Sequence, residues 1–540
     1  MKQLYNYKLI DSIVIFLTGL GLFLFGLNQQ EIVGFESRFY VFALEMWRHG
    51  LSWFPTTYQK PYPDYPVTST LLIYGFAKLF GVLNKTIAVL PSAIASALTL
   101  VVTYLIGCLH SRRWGGFAVI FLLFTGIFVV EARTISMDEF ITLIATLCFY
   151  LVYSAELLPS KARFYWIFPL FILGFAFRGP LGLIIPTGVV CVFYFLEKNY
   201  KMFFLVGFVS LLLMNACLSV FLVLSYHVGG FRFVHEVLGM QVFSRLKEEH
   251  TPSHHFYFVN SLFSYALTFP LMVLMLPRIV ASFFKNNLSK EIKFLLYLLG
   301  WILVILIGLS LAADKKPRYV LSIAPALALF CAYLFVCDSS QRYLRFLKSC
   351  FFWIIYFFPV IFVGLLYFFK SKFSFGFVNY IDLIEIFIFL QLIIFGLYFL
   401  ARQKEFRILS LAVFAFFIGY ICIVEPTNIK YNRARSFVTE VESLRWEQDC
   451  RIVFYHEEAD GLVIKYFAQT PTEICPRFAK DYAGLLHYSH RALFIATQRR
   501  FHYLPARIKQ KFTVVLDGKI GHVKVVVFRK TSQRMIESDG

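Results

Sequence analysis

Charge is what this chain has least of. It carries only 32 acidic residues in 540, and Asp, Glu, Lys and Arg together make up 16%, against 59% hydrophobic residues and a mean hydropathy of +0.68. A soluble fold cannot hide that much Phe and Leu, so the composition predicts a polytopic α-helical membrane protein. No small-x-small cleavage pattern follows the first apolar run at residues 10–27, which is therefore read as an uncleaved transmembrane helix and not as a secretory signal. A repeat period, a low-complexity linker and a compact metal-ligand spacing such as HExxH are also lacking. Eight of the ten cysteines sit in apolar runs, where a thiol behaves as a small buried hydrophobe.

The net charge of +20 does not point to nucleic acid, because the basic residues are scattered through short connections between apolar runs, as in a membrane topology signal. Thirteen spans are expected, at 9–28, 86–108, 115–131, 138–157, 164–177, 180–196, 201–226, 260–280, 293–312, 319–337, 349–369, 381–401 and 406–424. With the amino terminus cytoplasmic, each inner connection carries Lys or Arg. The odd count then places the carboxyl end outside. The expected division is a transmembrane catalytic domain over 1–424, with outer loops at 29–85 and 227–259, and a soluble extracytoplasmic (periplasmic) α/β domain over 425–540, anchored in the plasma (inner) membrane.

In that last domain, β-branched runs at 451–455, 492–496, 512–516 and 522–528 read as strands, with a hairpin at DGKIGH, residues 517–522. Outside the cell thiols tend to be oxidised, and Cys450 and Cys475 are expected to pair there.

The anomaly lies on the outer face. Residues 34–66, GFESRFYVFALEMWRHGLSWFPTTYQKPYPDYP, form a polar stretch carrying Glu36, Arg38, Lys60 and Asp64, with prolines holding the backbone extended around Tyr62 and Tyr65. The same face receives Arg133, Arg178, Lys315, Lys316 and Arg318, where insertion preference should have depleted cations. Any one of them could snorkel to lipid phosphates. Taken as a set, with Glu36, Asp64 and Asp138 beside them, they suit a substrate phosphate that takes charge-assisted bonds. Tyr62 and Tyr65 read as a wall for a sugar ring. The outer loop from 227 to 255 is read as a lid over the acceptor, a metal site at His250, His254 and His255 being the alternative.

These residues, in this order, resemble the GT-C superfamily of membrane glycosyltransferases, of the protein O-mannosyltransferase and lipid A aminoarabinose transferase type, over roughly residues 1–340. The acidic-x-Arg motif of the family looks like Glu36-Ser-Arg38. Its Lys-Pro before an amphipathic helix looks like Lys60-Pro61 ahead of residues 67–81, and its ARxxxxD feature looks like Ala132-Arg133 to Asp138. Arg178-Gly179-Pro180 stands where the family has Lys-Gly-Pro, and Arg318-Tyr319 to Pro325 matches its late cation-Tyr element. Phe35 stands where the family has a catalytic Asp, and Gln59 where it often has an acid.

The resemblance implies transfer of a sugar from a polyprenyl phosphate to a lipid A, glycan or protein acceptor on the extracytoplasmic face, with inversion. Such chemistry serves the cell envelope, as lipid A modification or protein O-mannosylation. It needs a carboxylate base, Glu36 or Asp64, with Glu36 preferred for its place in the motif and Asp138 to orient the acceptor. Cations for the departing phosphate come from Arg178, Lys315, Lys316, Arg318 and Tyr319's neighbourhood, with Arg38, Lys60 and Arg133 near. A phosphate leaving group asks less of a metal, so no cofactor is required, with a divalent ion as an option. A transporter or flippase of a lipid-linked saccharide is the rival reading; it predicts related halves and charges at the bilayer midplane, and the sequence shows neither.

Overall fold

The computed structural model describes residues 2–531 except 159–160, 244–252, 254, 284–287, 338–340, 376–377, 401–403, 459, 471–475 and 490. Apolar helix α1 (Lys2–Leu24) leads into the first polar loop, which holds α2 (Glu36–His49), the two-residue strands β1 (Thr56–Thr57) and β2 (Lys60–Pro61), and α3 (Thr68–Phe80). Then follow α4 (Lys85–Gly107), α5 (Arg112–Leu123), α6 (Gly126–Ala132), α7 (Asp138–Leu157), α8 (Ile167–Arg178), α9 (Pro180–Leu196) and α10 (Tyr200–Leu238). After these come α11 (Phe256–Ser264), α12 (Thr268–Phe283), α13 (Lys290–Ser310), a 3-10 stretch (Pro317–Ile323) and α14 (Ala324–Val336). The last helices of the bundle are α15 (Arg342–Tyr356), α16 (Phe358–Phe369), α17 (Tyr380–Leu400), α18 (Lys404–Gly419) and α19 (Glu425–Tyr431).

The thirteen expected spans all fall on helices, but in three ways. Eight are single helices long and apolar enough to cross a membrane, and three are bent pairs, α5 with α6 at 74°, α11 with α12 at 115° and α15 with α16 at 52°. The remaining two, α8 and α9, have 12 and 17 residues, shorter than the roughly 20 a bilayer asks for. Apolarity alone cannot reveal a bend, because both arms of a bent pair read as one hydrophobic run. The expected outer loop at 227–259 is helical for much of its described length: α10 continues through a kink at Gly229 and Gly230, and a π-helical turn follows at Gly239–Phe243.

The turn from α8 to α9 is dictated locally. Gly179 has φ +60 and ψ −145, a conformation only glycine takes cheaply, and Pro180 opens the next helix, where its missing N–H costs nothing. Gly174 and Gly182 let the two helices touch, since a Cβ on Gly182 would lie 1.9 Å from the Gly174 carbonyl oxygen. This tight hairpin fixes Arg178 at the end of α8.

The chain then builds α20 (Arg435–Glu447), β3 (Arg451–Tyr455), α21 (Leu462–Phe467), β4 (Arg477–Ala479), β5 (Ala492–Thr497), β6 (Phe512–Ile520) and β7 (Val523–Lys530), with short helices between. Four strands match the sequence reading and the three-residue edge strand β4 is additional. The sheet order is β4-β3-β5-β7-β6, parallel from β4 to β5 and antiparallel beyond. Ile520 pairs with Val523, leaving the two-residue turn Gly521-His522 with Gly521 at φ +65.

The expected domain boundary at residue 424 falls inside a helical run. The last apolar helical run extends from Lys404 to Tyr431, and the soluble part does not stand apart. Ile32, Val33 and Val41 of the first loop share one hydrophobic core with Phe437, Val438, Val441, Ile452, Phe454 and Val527. Glu31 accepts the backbone N–H groups of Ala434 and Arg435 at 2.8 and 3.0 Å, capping the start of α20 where the helix dipole favours an anion.

Candidate active site at the domain end of the bundle

Three ion-pair clusters gather where the C-terminal domain meets the helices. The first is Glu36 with Lys85. Glu36 opens α2 and is buried, with Oε1 2.5 Å from the Lys85 Nζ and Oε2 accepting the Ile135 N–H at 3.4 Å. Lys85 is the first residue of α4, placed there by Asn84, whose side chain caps the helix through the Ile87 N–H. The two carboxylate oxygens thus have separate donors, the Lys85 ammonium and a backbone N–H.

In the second cluster Asp138 stands at the start of α7 between two guanidinium groups, 2.6 Å from Arg178 Nη1 and 3.4 Å from Arg318 Nε. The Arg318 guanidinium lies over the Phe35 ring, 3.3 Å from its centroid, and Arg178 lies over the Tyr319 ring at 4.8 Å. Tyr319 donates to Asp314 at 2.8 Å, and Lys316 pairs with the same carboxylate at 3.2 Å. Lys315 is buried beside them. Arg318 Nη2 is buried without a hydrogen-bond partner among the described residues, which is costly unless a ligand completes it.

The third cluster was only half visible in the sequence. Arg38 Nη2 donates to Asp460 of the C-terminal domain at 2.6 Å, and Tyr62 donates to the same oxygen at 2.9 Å. Asp64 is 3.9 Å from Arg38. Burial pushes the Tyr62 and Tyr65 phenols well above their ordinary range, so both remain neutral.

Between the first two clusters lies a cavity of about 300 Å³. Phe35, Glu36, Lys85, Glu131, Arg318 and Lys465 are on its walls, with the Gly521-His522 turn closing one side. Carboxylates and cations therefore face one partly open space of a size that suits a single sugar ring.

Arg133 also borders this cavity, but all five of its N–H groups are engaged. They go to Glu425 at 2.6 and 2.9 Å and to the carbonyls of Leu22, Phe23 and Phe25 at 2.7, 3.1 and 2.8 Å. That leaves no donor for the phosphate contact expected of it. The side chain instead ties the end of α1 to the start of α19. Lys60 is likewise absent from the cavity wall: it is exposed on β2 beyond a turn at Tyr58 and Gln59, both at positive φ. Pro63-Asp64-Tyr65-Pro66, and not Lys60-Pro61, stands immediately ahead of the amphipathic helix α3.

His255 is exposed at the edge of α11, while His250 and His254 lie outside the described residues. No group of three or more metal-ligating side chains occurs among the described residues. Cys450 is a free thiol that donates to the Gln448 carbonyl at 3.4 Å; its expected partner Cys475 lies outside the described residues.

Lys85, Glu131, Lys465 and Asp460 were not among the expected site residues. Lys85 carried the same signal as its neighbours, a cation at the end of a span. Asp460 and Lys465 carried none, because only the folded domain brings them here.

The crystal structure of ArnT from Cupriavidus metallidurans in the apo state matches 96% of this chain and 98% of its own, at 14% identity with a TM-score of 0.71. The chain has the ArnT fold. The structure of the same ArnT bound to undecaprenyl phosphate covers 98% of each chain at 14% identity and a TM-score of 0.67. Residues 64–227 match the family described as dolichyl-phosphate-mannose-protein mannosyltransferase. No curated protein matches the chain by sequence. The ArnT fold is the GT-C architecture expected from the motifs, and the family match spans Asp64, Asp138 and Arg178 within it.

Proposed function

We propose that this chain is a membrane glycosyltransferase that moves a sugar from a polyprenyl phosphate to an acceptor at the end of the bundle carrying the C-terminal domain. The observation that carries this reading is Arg318, whose buried Nη2 has no hydrogen-bond partner among the described residues and which borders a cavity also lined by Glu36 and Lys85. Support comes from the solved ArnT, described as bound to undecaprenyl phosphate, and from the matching family, described by its use of dolichyl-phosphate mannose. Both carriers are polyprenyl phosphates.

In the reaction, an acceptor nucleophile attacks the anomeric carbon and the bond from that carbon to the phosphate oxygen breaks. The phosphate leaves with the electron pair, and the acceptor proton passes to a carboxylate. Glu36 is the proposed base because it lines the cavity. Asp64 does not line it, and its Arg38 neighbour is committed to Asp460. Arg318 and Arg178 receive the developing phosphate charge, with Lys315 behind them, and Asp138 holds the two guanidinium groups side by side. Tyr62 and Tyr65 shape the loop over the site. The acceptor is a lipid A, glycan or protein of the cell envelope.

Envelope lipids, glycans and proteins from cells with the chain, without it, and with Glu36→Gln can be compared by mass spectrometry. A sugar-sized mass increment found only with the intact chain is expected. Identical profiles in all three strains would overturn the reading.

A further inference from the structure

A second cavity among the described residues is larger than the one just described. At the opposite end of the bundle, α1 packs on α4 and α18 packs on α5, and a cleft opens between α1 and α18. Its volume is about 970 Å³, at the top of the roughly 300–1,000 Å³ range of ligand-binding clefts. Val14, Leu100, Val119, Leu123, Val413 and Phe414 supply its apolar walls. Small residues make the space: Gly19 and Thr18 lie on the α1 wall, and Gly116 admits the Phe406 ring where a Cβ would lie 2.7 Å from it.

The rim of this cleft is charged in one sense. Among the described residues, Arg112, Arg113, Lys348 and Lys404 stand there against Asp11 and Glu405. Arg112 binds Asp11 through two N–H groups at 2.7 Å each, and Glu405 is shared by Arg113 at 3.1 Å and Lys348 at 2.8 Å. Lys404 lies over the Tyr398 ring at 4.1 Å, with no carboxylate partner among the described residues. Two positive charges are left over at the mouth of an apolar cleft, the pattern by which basic pockets between membrane helices hold anionic headgroups.

We propose that this cleft binds one diacyl phospholipid with an anionic headgroup, its phosphate at Lys404 and Lys348 and its acyl chains between α1 and α18. The sugar donor does not fit this role. Its phosphate belongs at Arg318 and Arg178, and α4, 23 residues long, separates the two ends by about 35 Å at 1.5 Å per residue. One lipid phosphate cannot serve both.

The full-length protein, purified in detergent, is delipidated and offered phosphatidylglycerol, phosphatidylcholine or undecaprenyl phosphate, and retained lipid is counted by native mass spectrometry. One phosphatidylglycerol is expected to be held well above phosphatidylcholine. Lys348→Gln with Lys404→Gln should weaken it roughly tenfold or more. Val14→Trp, on the exposed face of α1, should exclude it while leaving every charge in place. Equal retention of phosphatidylglycerol and phosphatidylcholine, or retention unchanged in both variants, overturns the proposal. Displacement of phosphatidylglycerol by undecaprenyl phosphate, lost with the Lys pair and not with Arg318→Ala, would also overturn it by assigning the cleft to the donor.

Discussion

Arg38 and Asp460 lie 422 residues apart in the chain, and their side chains meet at 2.6 Å. The same carboxylate oxygen receives the Tyr62 hydroxyl, so one acid of the C-terminal domain holds two residues of the first loop. It also draws Arg38 away from Asp64, which is left at 3.9 Å.

Asp460→Asn removes the charge and keeps the shape. Charge-assisted hydrogen bonds contribute about 1.5–3 kcal/mol, less where solvent reaches the pair, as it does here with side chains 23% and 37% exposed. The variant should be cleaved faster by protease at the connection near residues 432–434 and should transfer more slowly. Cleavage and transfer both at the parental rate would show that the contact contributes nothing.

Arg133→Leu should destabilise by about 3–5 kcal/mol, because it leaves Glu425 buried without its partner. The measurement is thermal unfolding in detergent alongside the donor KM of the folded fraction. A raised donor KM with unchanged stability would return Arg133 to the phosphate site.

Glu36→Gln keeps the Lys85 contact possible but cannot take a proton, and transfer should fall by roughly 10²-fold or more with donor binding retained. Asp64→Asn, outside the cavity wall, should cost much less. The reverse order of effects would make Asp64 the base.

Lys465 faces the cavity, and burial alone holds its ammonium below the usual lysine range. A lysine with a depressed folded value destabilises the fold fully at pH below that value, and the penalty fades as pH rises from it to the higher unfolded value. Lys465→Met should therefore raise the melting temperature at pH 7, by less at pH 10, and slow transfer if the ammonium meets substrate. A melting temperature unchanged at both values would show that the charge is solvated.

The helical bundle was legible because each apolar run is long and its polar interruptions are short. Bends at Thr125, Leu267 and Phe357 were not, since nothing in the hydropathy of residues 115–131 or 349–369 separates one straight helix from two crossing ones. Glu36, Asp138, Arg178 and Arg318 were singled out in the sequence from charge on one expected face, and the structure brings them to one end of the bundle. Asp138 is now seen to be held by both arginines, a pairing of residues 40 and 180 positions away that local pattern cannot specify. The engagement of Arg133 was not legible for the same reason: a cation in that place looks alike whether its N–H groups are spent on carbonyls and a carboxylate or kept for a ligand. Lys60 was chosen by its neighbouring proline, whereas Pro66 is the proline that leads into α3.

Because Ile32 and Val527 belong to one core, the order in which the chain is made matters. The first loop emerges early, and the segments that cover it, beginning at Phe437, are made roughly 400 residues later. At synthesis rates of about 5–20 residues per second, that is on the order of 20–80 s during which Ile32, Val33 and Val41 have no covering. A ribosome that stops short of α20 releases a protein whose bundle can be complete but whose loop stays bare, so truncation just after the bundle should be policed by membrane proteases as severely as damage within the helices.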